Sequence, residues 1–135
     1  MASVYLLDAN ILIAALKGRP EVRSRLESLP LSALRLSAIV LGELEFGAEK
    51  SAHGERHRAR LTALVQRVQL VGVDHDTARH YAKVRALLER QGRPIGANDT
   101  WIAAQALAIE ATLVTDNERE FSRVPGLPLE NWLTQ

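Results

Sequence analysis

The sequence contains no cysteine among its 135 residues, which excludes disulfide bonds, zinc–thiolate sites, iron–sulfur clusters and cysteine nucleophiles. This absence is typical of proteins that work in the reducing cytoplasm, where we expect the chain to act. No run of about 18 apolar residues is present, which predicts that no helix spans a membrane. The N-terminus also lacks the long apolar run of a signal peptide, since Asp8 interrupts it early.

The chain has almost no excess of charge of either sign, since 17 Lys and Arg residues stand against 16 Asp and Glu residues. The net charge of +1 therefore says nothing about partners. The distribution is uneven, however, because residues 50–67 carry five Lys or Arg and two His against one Glu. We interpret Arg56, Arg58 and Arg60 as candidate contacts to the phosphates of a nucleic acid, with a solvated helix face as the alternative.

Short apolar runs alternate with helix-like segments along the whole chain. The pattern predicts strands at residues 4–7, 34–37, 68–73, 112–115 and 127–132 and helices at residues 11–16, 21–29, 38–50, 54–67, 76–91 and 98–110. Strands that alternate with helices favour an α/β fold with a mainly parallel central sheet and helices on both faces. We expect a single domain over residues 1–135, because this length suits one hydrophobic core.

Two acidic residues directly follow predicted strands. Asp8 follows the first strand, and Asp116 follows the strand at residues 112–115. Alone, Asp8 is explained as the N-cap of the next helix and Asp116 as a turn residue. Parallel strands place both at the same edge of the sheet, however, and this is the edge where α/β proteins bind ligands.

A third acid, Glu43, lies within the predicted helix at residues 38–50. It shares a helical face with Ile39, Phe46 and Gly47, whereas Glu45 is expected on the solvated side. A carboxylate among apolar neighbours needs a partner, because removing a charge from water is costly. A Glu at the edge of the apolar stripe that reaches water is the alternative.

A fourth acid, Asp99, opens the predicted helix at residues 98–110. It aligns with Ile102, Ala103 and Ala106 on the inward face of that helix. The alternative explanation is an acid of the first turn that complements the helix dipole.

Four acids at one place would repel one another unless a cation neutralised them. Oxygen ligands without thiols favour Mg²⁺ or Mn²⁺ over zinc. These metals suit phosphodiester hydrolysis, because they activate water and stabilise the charge that develops on the phosphate.

The acidic motifs resemble those of the PIN domain, and more narrowly those of VapC-type toxins of bacterial type II toxin–antitoxin systems. The resemblance covers nearly the whole chain and includes Glu120-Phe121 and the ending Glu130-Asn131-Trp132. The motifs that carry it are Leu7-Asp8-Ala9-Asn10, Glu43-Leu44-x-x-Gly47, Asn98-Asp99 and Thr115-Asp116-Asn117.

This resemblance implies a metal-dependent endoribonuclease whose catalytic and metal-binding acids are Asp8, Glu43, Asp99 and Asp116. It also implies a homodimer and a cognate antitoxin that inserts a segment into or near the active site, with operator DNA bound only through the antitoxin. Groups that support the acids or position water are expected among their neighbours Asn10, Thr115 and Asn117.

A non-catalytic module that binds operator DNA together with an antitoxin is the alternative function. Metal-dependent cleavage of RNA by the isolated protein distinguishes the two. Other phosphate chemistries fit less well, because the sequence has neither a Walker motif nor a GxGxxG motif.

Overall fold

A computed structural model describes residues 3–133 of the chain. Its five strands form one sheet in the order β3-β2-β1-β4-β5, and every pair of neighbouring strands is parallel. The strands are β1 (Tyr5–Leu7), β2 (Leu34–Ser37), β3 (Gln69–Val71), β4 (Thr112–Val114) and β5 (Leu129–Glu130). The strand order reverses between β1 and β4, which is the place where a ligand site is expected.

Seven α-helices accompany the sheet within the described residues. They are α1 (Ala9–Leu16), α2 (Pro20–Glu27), α3 (Ala38–Lys50), α4 (Gly54–Arg67), α5 (His75–Arg90), α6 (Ala97–Ala108) and α7 (Glu118–Phe121). The α/β fold with a parallel sheet is confirmed, but α7 was not predicted. The expected domain of residues 1–135 includes residues 1–2 and 134–135, which lie outside the described part. No helix between residues 3 and 133 is long and apolar enough to cross a membrane.

Both faces of the central strands are covered. Leu6 and Leu7 follow each other in β1 and so point to opposite faces, yet they are only 0% and 3% exposed. Strands that are buried on both faces have continuous apolar sequences, and for this reason the central strands could be predicted. Ile102 of α6 and Phe121 of α7 are also fully buried in the core.

A buried amide ties α6 to the ends of β2 and β3. The Gln105 side chain is fully buried, accepts a hydrogen bond from Ser37 Oγ at 2.5 Å and donates to the carbonyl oxygens of Val71 and Gly72, each at 3.1 Å. Ser37 Oγ also caps α3 by accepting a hydrogen bond from the backbone N–H of Ile39. The starting point of α3 is therefore fixed relative to α6, and each of these helices carries one of the predicted site acids.

Candidate active site

Asp8 occupies the point where the strand order reverses. It caps α1 by accepting a hydrogen bond from the backbone N–H of Ala9 on Oδ1 at 2.9 Å, and Thr115 Oγ1 donates to its other oxygen at 2.8 Å. The backbone N–H of Asp8 donates a hydrogen bond to the Val114 carbonyl and so extends the hydrogen bonding between β1 and β4. The Asp8 side chain is thus held between β1 and β4.

The surroundings of Asp8 oppose its ionisation. Burial raises its pKa, the hydrogen bonds from Thr115 and Ala9 lower it, and the charge of Asp116 raises it again, so that the net direction is upward. Thr115 is fully buried, and its hydroxyl also accepts a hydrogen bond from the backbone N–H of Asn117. One hydroxyl therefore orients Asp8 and the loop that carries Asp116.

Asp116 lies at the exposed rim of the same edge. Its Oδ1 accepts a hydrogen bond from Asn10 Nδ2 at 3.0 Å, across 106 positions of the sequence. Asn10 is therefore a direct partner of a predicted site acid and connects α1 to the residues that follow β4.

Glu43 lies on α3, which begins directly after the end of β2 at the same edge. Partial burial and, to a smaller extent, the charge of Asp8 raise its pKa. The prediction that its helical face packs against apolar groups is confirmed for Ile39, which packs against the core, but it was wrong for Phe46. Phe46 on this face is 63% exposed, and Glu45 is more covered than Glu43. The reason is that α3 packs through the side next to Glu43, where Val40 and Ala48 are buried, so that Phe46 on the far side of Glu43 faces solvent.

Asp99 in the first turn of α6 has the most perturbed ionisation in the site. Its pKa is raised to about 7, first by burial, then by a hydrogen bond to Glu120 and by the charges of Glu120, Asp8 and Glu43. Burial is thus the larger cause, and the charges of three neighbouring acids act in the same direction. The helix-dipole explanation does not account for this, because the dipole would lower the pKa.

Glu120 is a fifth acid of the site; the sequence motif included it, but no catalytic or metal-binding role was assigned to it. Its Oε2 accepts from Asn117 Nδ2 at 2.6 Å and its Oε1 from the backbone N–H of Gly96 at 3.3 Å. Burial acts to raise its pKa, but hydrogen bonds from Asp99, Asn117 and Gly96 and the charge of Arg123 lower it overall. Asp99 therefore carries the proton of this pair and Glu120 the negative charge.

The chemistry of this set of donors fits a hard divalent cation. All five acids offer carboxylate oxygens, which Mg²⁺ and Mn²⁺ prefer. No three His, Cys, Asp or Glu side chains between residues 3 and 133 are already arranged as a metal-ligand group. The carboxylates of Asp8, Asp116 and Glu120 instead accept hydrogen bonds from the neutral donors described above, and Asp99 is hydrogen-bonded to Glu120.

The three candidate arginines of α4 have different surroundings. Arg58 forms an ion pair with Glu49 at 2.6 Å, and together with Arg56 it lines an open depression beside the turn between α3 and α4. Arg60 instead lines a groove to which Glu43 also belongs. Among the three, Arg60 is the one placed beside an acid of the site.

Comparison with known proteins gives a consistent result. The PIN domain family model matches residues 5–127. The tRNA(fMet)-specific endonuclease VapC of Shigella flexneri is 41% identical over 129 residues, which cover 95% of this chain and 97% of that protein. Ribonuclease VapC2 of Rickettsia felis is 38% identical over 133 residues, covering 96% of this chain and 98% of that one.

A solved structure agrees with these relatives. VapBC2 from Rickettsia felis, bound to a DNA fragment from its promoter, contains a chain that superposes with a TM-score of 0.88 at 37% identity. The match covers 96% of this chain and 98% of that chain.

Proposed function

The chain belongs to the PIN domain family and to its VapC-type ribonucleases, and on that basis we propose that it is a metal-dependent endoribonuclease and the toxin of a type II toxin–antitoxin pair. The observation that carries the proposal is the meeting of five carboxylates where the strand order reverses, one of them with a pKa of about 7. A non-catalytic module, which is the alternative, would have no use for five carboxylates that repel one another at this place.

We assign the metal to Asp8, Glu43, Asp99, Asp116 and Glu120, as either Mg²⁺ or Mn²⁺. A cation bound there would activate water and stabilise the charge on the cleaved phosphate. The chain itself holds the acids in place. Thr115 orients Asp8, Asn10 holds Asp116, and Asn117 holds Glu120. Glu120 also accepts the hydrogen bond of protonated Asp99, which must lose its proton for a cation to bind.

The partners follow from the family. A cognate antitoxin is supported by the VapBC assembly in which the Rickettsia relative was solved, and the DNA in that structure supports operator binding through the antitoxin. We further propose a homodimer, a single PIN domain over residues 1–135 and an RNA substrate in the cytoplasm. The name of the Shigella relative makes tRNA(fMet) the first RNA to test.

The test is cleavage of tRNA(fMet) and of total cellular RNA by the purified protein, with the product ends identified. Hydrolysis by activated water leaves 5′-phosphate and 3′-hydroxyl ends, and we expect EDTA to abolish it and Mg²⁺ or Mn²⁺ to restore it. Asp99→Asn is the matched inactive control. Cyclic 2′,3′-phosphate ends formed in EDTA would contradict this mechanism, because they arise from attack by the 2′-hydroxyl. Operator binding with an antitoxin but no cleavage would favour the alternative function.

A further inference from the structure

We propose that the outward face of α3 beside Glu43 binds the RNA strand next to the cleaved bond, with Phe46 stacked on a base. This inference rests on the proposed ribonuclease function and deepens it. The face, which we call the α3 platform, consists of Glu43, Phe46, Gly47 and Lys50, together with the groove that adjoins them.

Phe46 is the first reason. It is 63% exposed, more than any other large hydrophobic side chain reported between residues 3 and 133. It follows Glu43 by three positions, so that the two side chains are neighbours about one helical turn apart. An aromatic ring therefore stands in solvent immediately beside an acid of the proposed active site.

Lys50 is the second reason. Its Nζ lies 5.1 Å from the centroid of the Phe46 ring, one turn farther along the same row of α3. Proteins that bind single-stranded nucleic acid combine aromatic rings, on which bases stack, with cations that follow the backbone. The order acid, ring and cation along one helix matches a strand that leaves the cleaved phosphate along α3.

Nothing in the described chain covers this row. A Cβ atom added at Gly42 or Gly47 would meet no heavy atom within 4 Å. Glycine inside a helix costs about 1 kcal/mol relative to alanine, and here the fold itself gives no packing reason for it. Bare helix surface on both sides of Phe46 leaves room for a second molecule to approach closely.

The adjoining groove is the third reason. It lies between α1, α3 and α4, has a volume of about 280 Å³ and is lined by Glu43, Leu44 and Leu61 among others. Lys17 and Arg60 contribute cations to its lining, whereas Glu43 is its one acid among the described residues. Apolar walls with cations suit a base and its phosphate. Because the groove begins at Glu43, a base and phosphate bound there would be continuous with the RNA bond at the proposed cleavage site.

The experiment measures stacking directly. The probe is a single-stranded RNA decamer that spans the mapped cut and carries 2-aminopurine beside it, mixed with an Asp99→Asn background that binds without cutting. We expect stacking to quench the fluorescence, and Phe46→Ala to abolish the quenching and weaken binding about tenfold, whereas Phe46→Trp retains both. Lys50→Ala should weaken binding less and flatten its salt dependence.

Leu31→Ala is the matched control, since Leu31 is 51% exposed but precedes β2 at the opposite edge of the sheet. It should change neither quenching nor affinity. Equal quenching and affinity in Phe46→Ala would overturn the platform and leave this face to a protein partner. Failure of the proposed function would be seen separately, in the cleavage assay. The wild-type protein would then show no metal-dependent cleavage site around which the decamer could be designed.

Discussion

Replacing Asp99 by asparagine should stabilise the metal-free protein at pH 8 while it abolishes cleavage. The folded pKa of Asp99 is about 7, above its ordinary value of 3.8. Between these pH values the folded state holds a proton that the unfolded chain has lost. The free energy of unfolding therefore falls as the pH rises from about 4 to about 7, and then levels off. Asparagine mimics the protonated carboxyl and removes this contribution.

The magnitude follows from the displacement of the pKa. A rise from 3.8 to about 7 corresponds to about 4 kcal/mol at 1.36 kcal/mol per unit. Asp99 is only half-buried, so that solvent screening reduces the effect to about 1–2 kcal/mol. For a domain of this size we expect the melting temperature of Asp99→Asn at pH 8 to exceed that of the wild type by roughly 3–8 °C.

The assay is thermal unfolding followed by circular dichroism in EDTA at pH 4.5, 6 and 8. Asp76→Asn is the matched control, because Asp76 is also an acid of a first helical turn but is exposed on α5. The substitution Asp76→Asn removes the same kind of interaction between an acid and a helix dipole, but it leaves the repulsion among the acids of the site unchanged. Some pH dependence should persist in Asp99→Asn, since the pKa of Asp8 is raised too. Parallel pH profiles for the wild type and Asp99→Asn would refute the reasoning.

Three further substitutions test other parts of the site. Glu120→Gln should lower cleavage at least tenfold without unfolding the protein, and full activity in an RNA cleavage assay would remove Glu120 from the site. Thr115→Val removes the donor to Asp8 and the acceptor for Asn117; urea denaturation should show a loss of about 1–3 kcal/mol, and wild-type stability would mean that water replaces the hydroxyl. Gln105→Leu leaves the carbonyls of Val71 and Gly72 without their donor, and the same measurement should show a loss of about 2–3 kcal/mol. No change there would argue that the amide does not anchor α3 to α6.

The central strands could be predicted from the sequence because they are buried on both faces. Leu6-Leu7 and Leu113-Val114 are continuous apolar runs for that reason, and Asp8 and Asp116 follow them directly. The rule that strand ends of a parallel sheet share one edge then brought these acids together. The sequence could therefore indicate the location of the site before any contact was known.

The errors have physical causes as well. The helix α7 has four residues, too few for a helical period to be visible, so that Glu120 was noted only as part of a motif and received no role in the site. Periodicity correctly grouped Glu43 with Phe46 on one face of α3, but it cannot tell which face of a helix is covered by the rest of the fold. The shared proton of Asp99 and Glu120 depends on contacts between separate elements, which a local pattern does not contain.

The hydrogen bond between Thr115 and Asp8 joins residues that are 107 positions apart in the chain. Translation adds about 5–20 residues per second from the N-terminus, so that Asp8 leaves the ribosome seconds before its partner. A nascent chain cannot assemble the acidic site until β4 has paired with β1 and α7 has emerged. The acids of the proposed site therefore stay apart in the nascent chain while the segment between them is being synthesised, and an antitoxin that recognises the complete site has nothing to bind until β4 and α7 have followed.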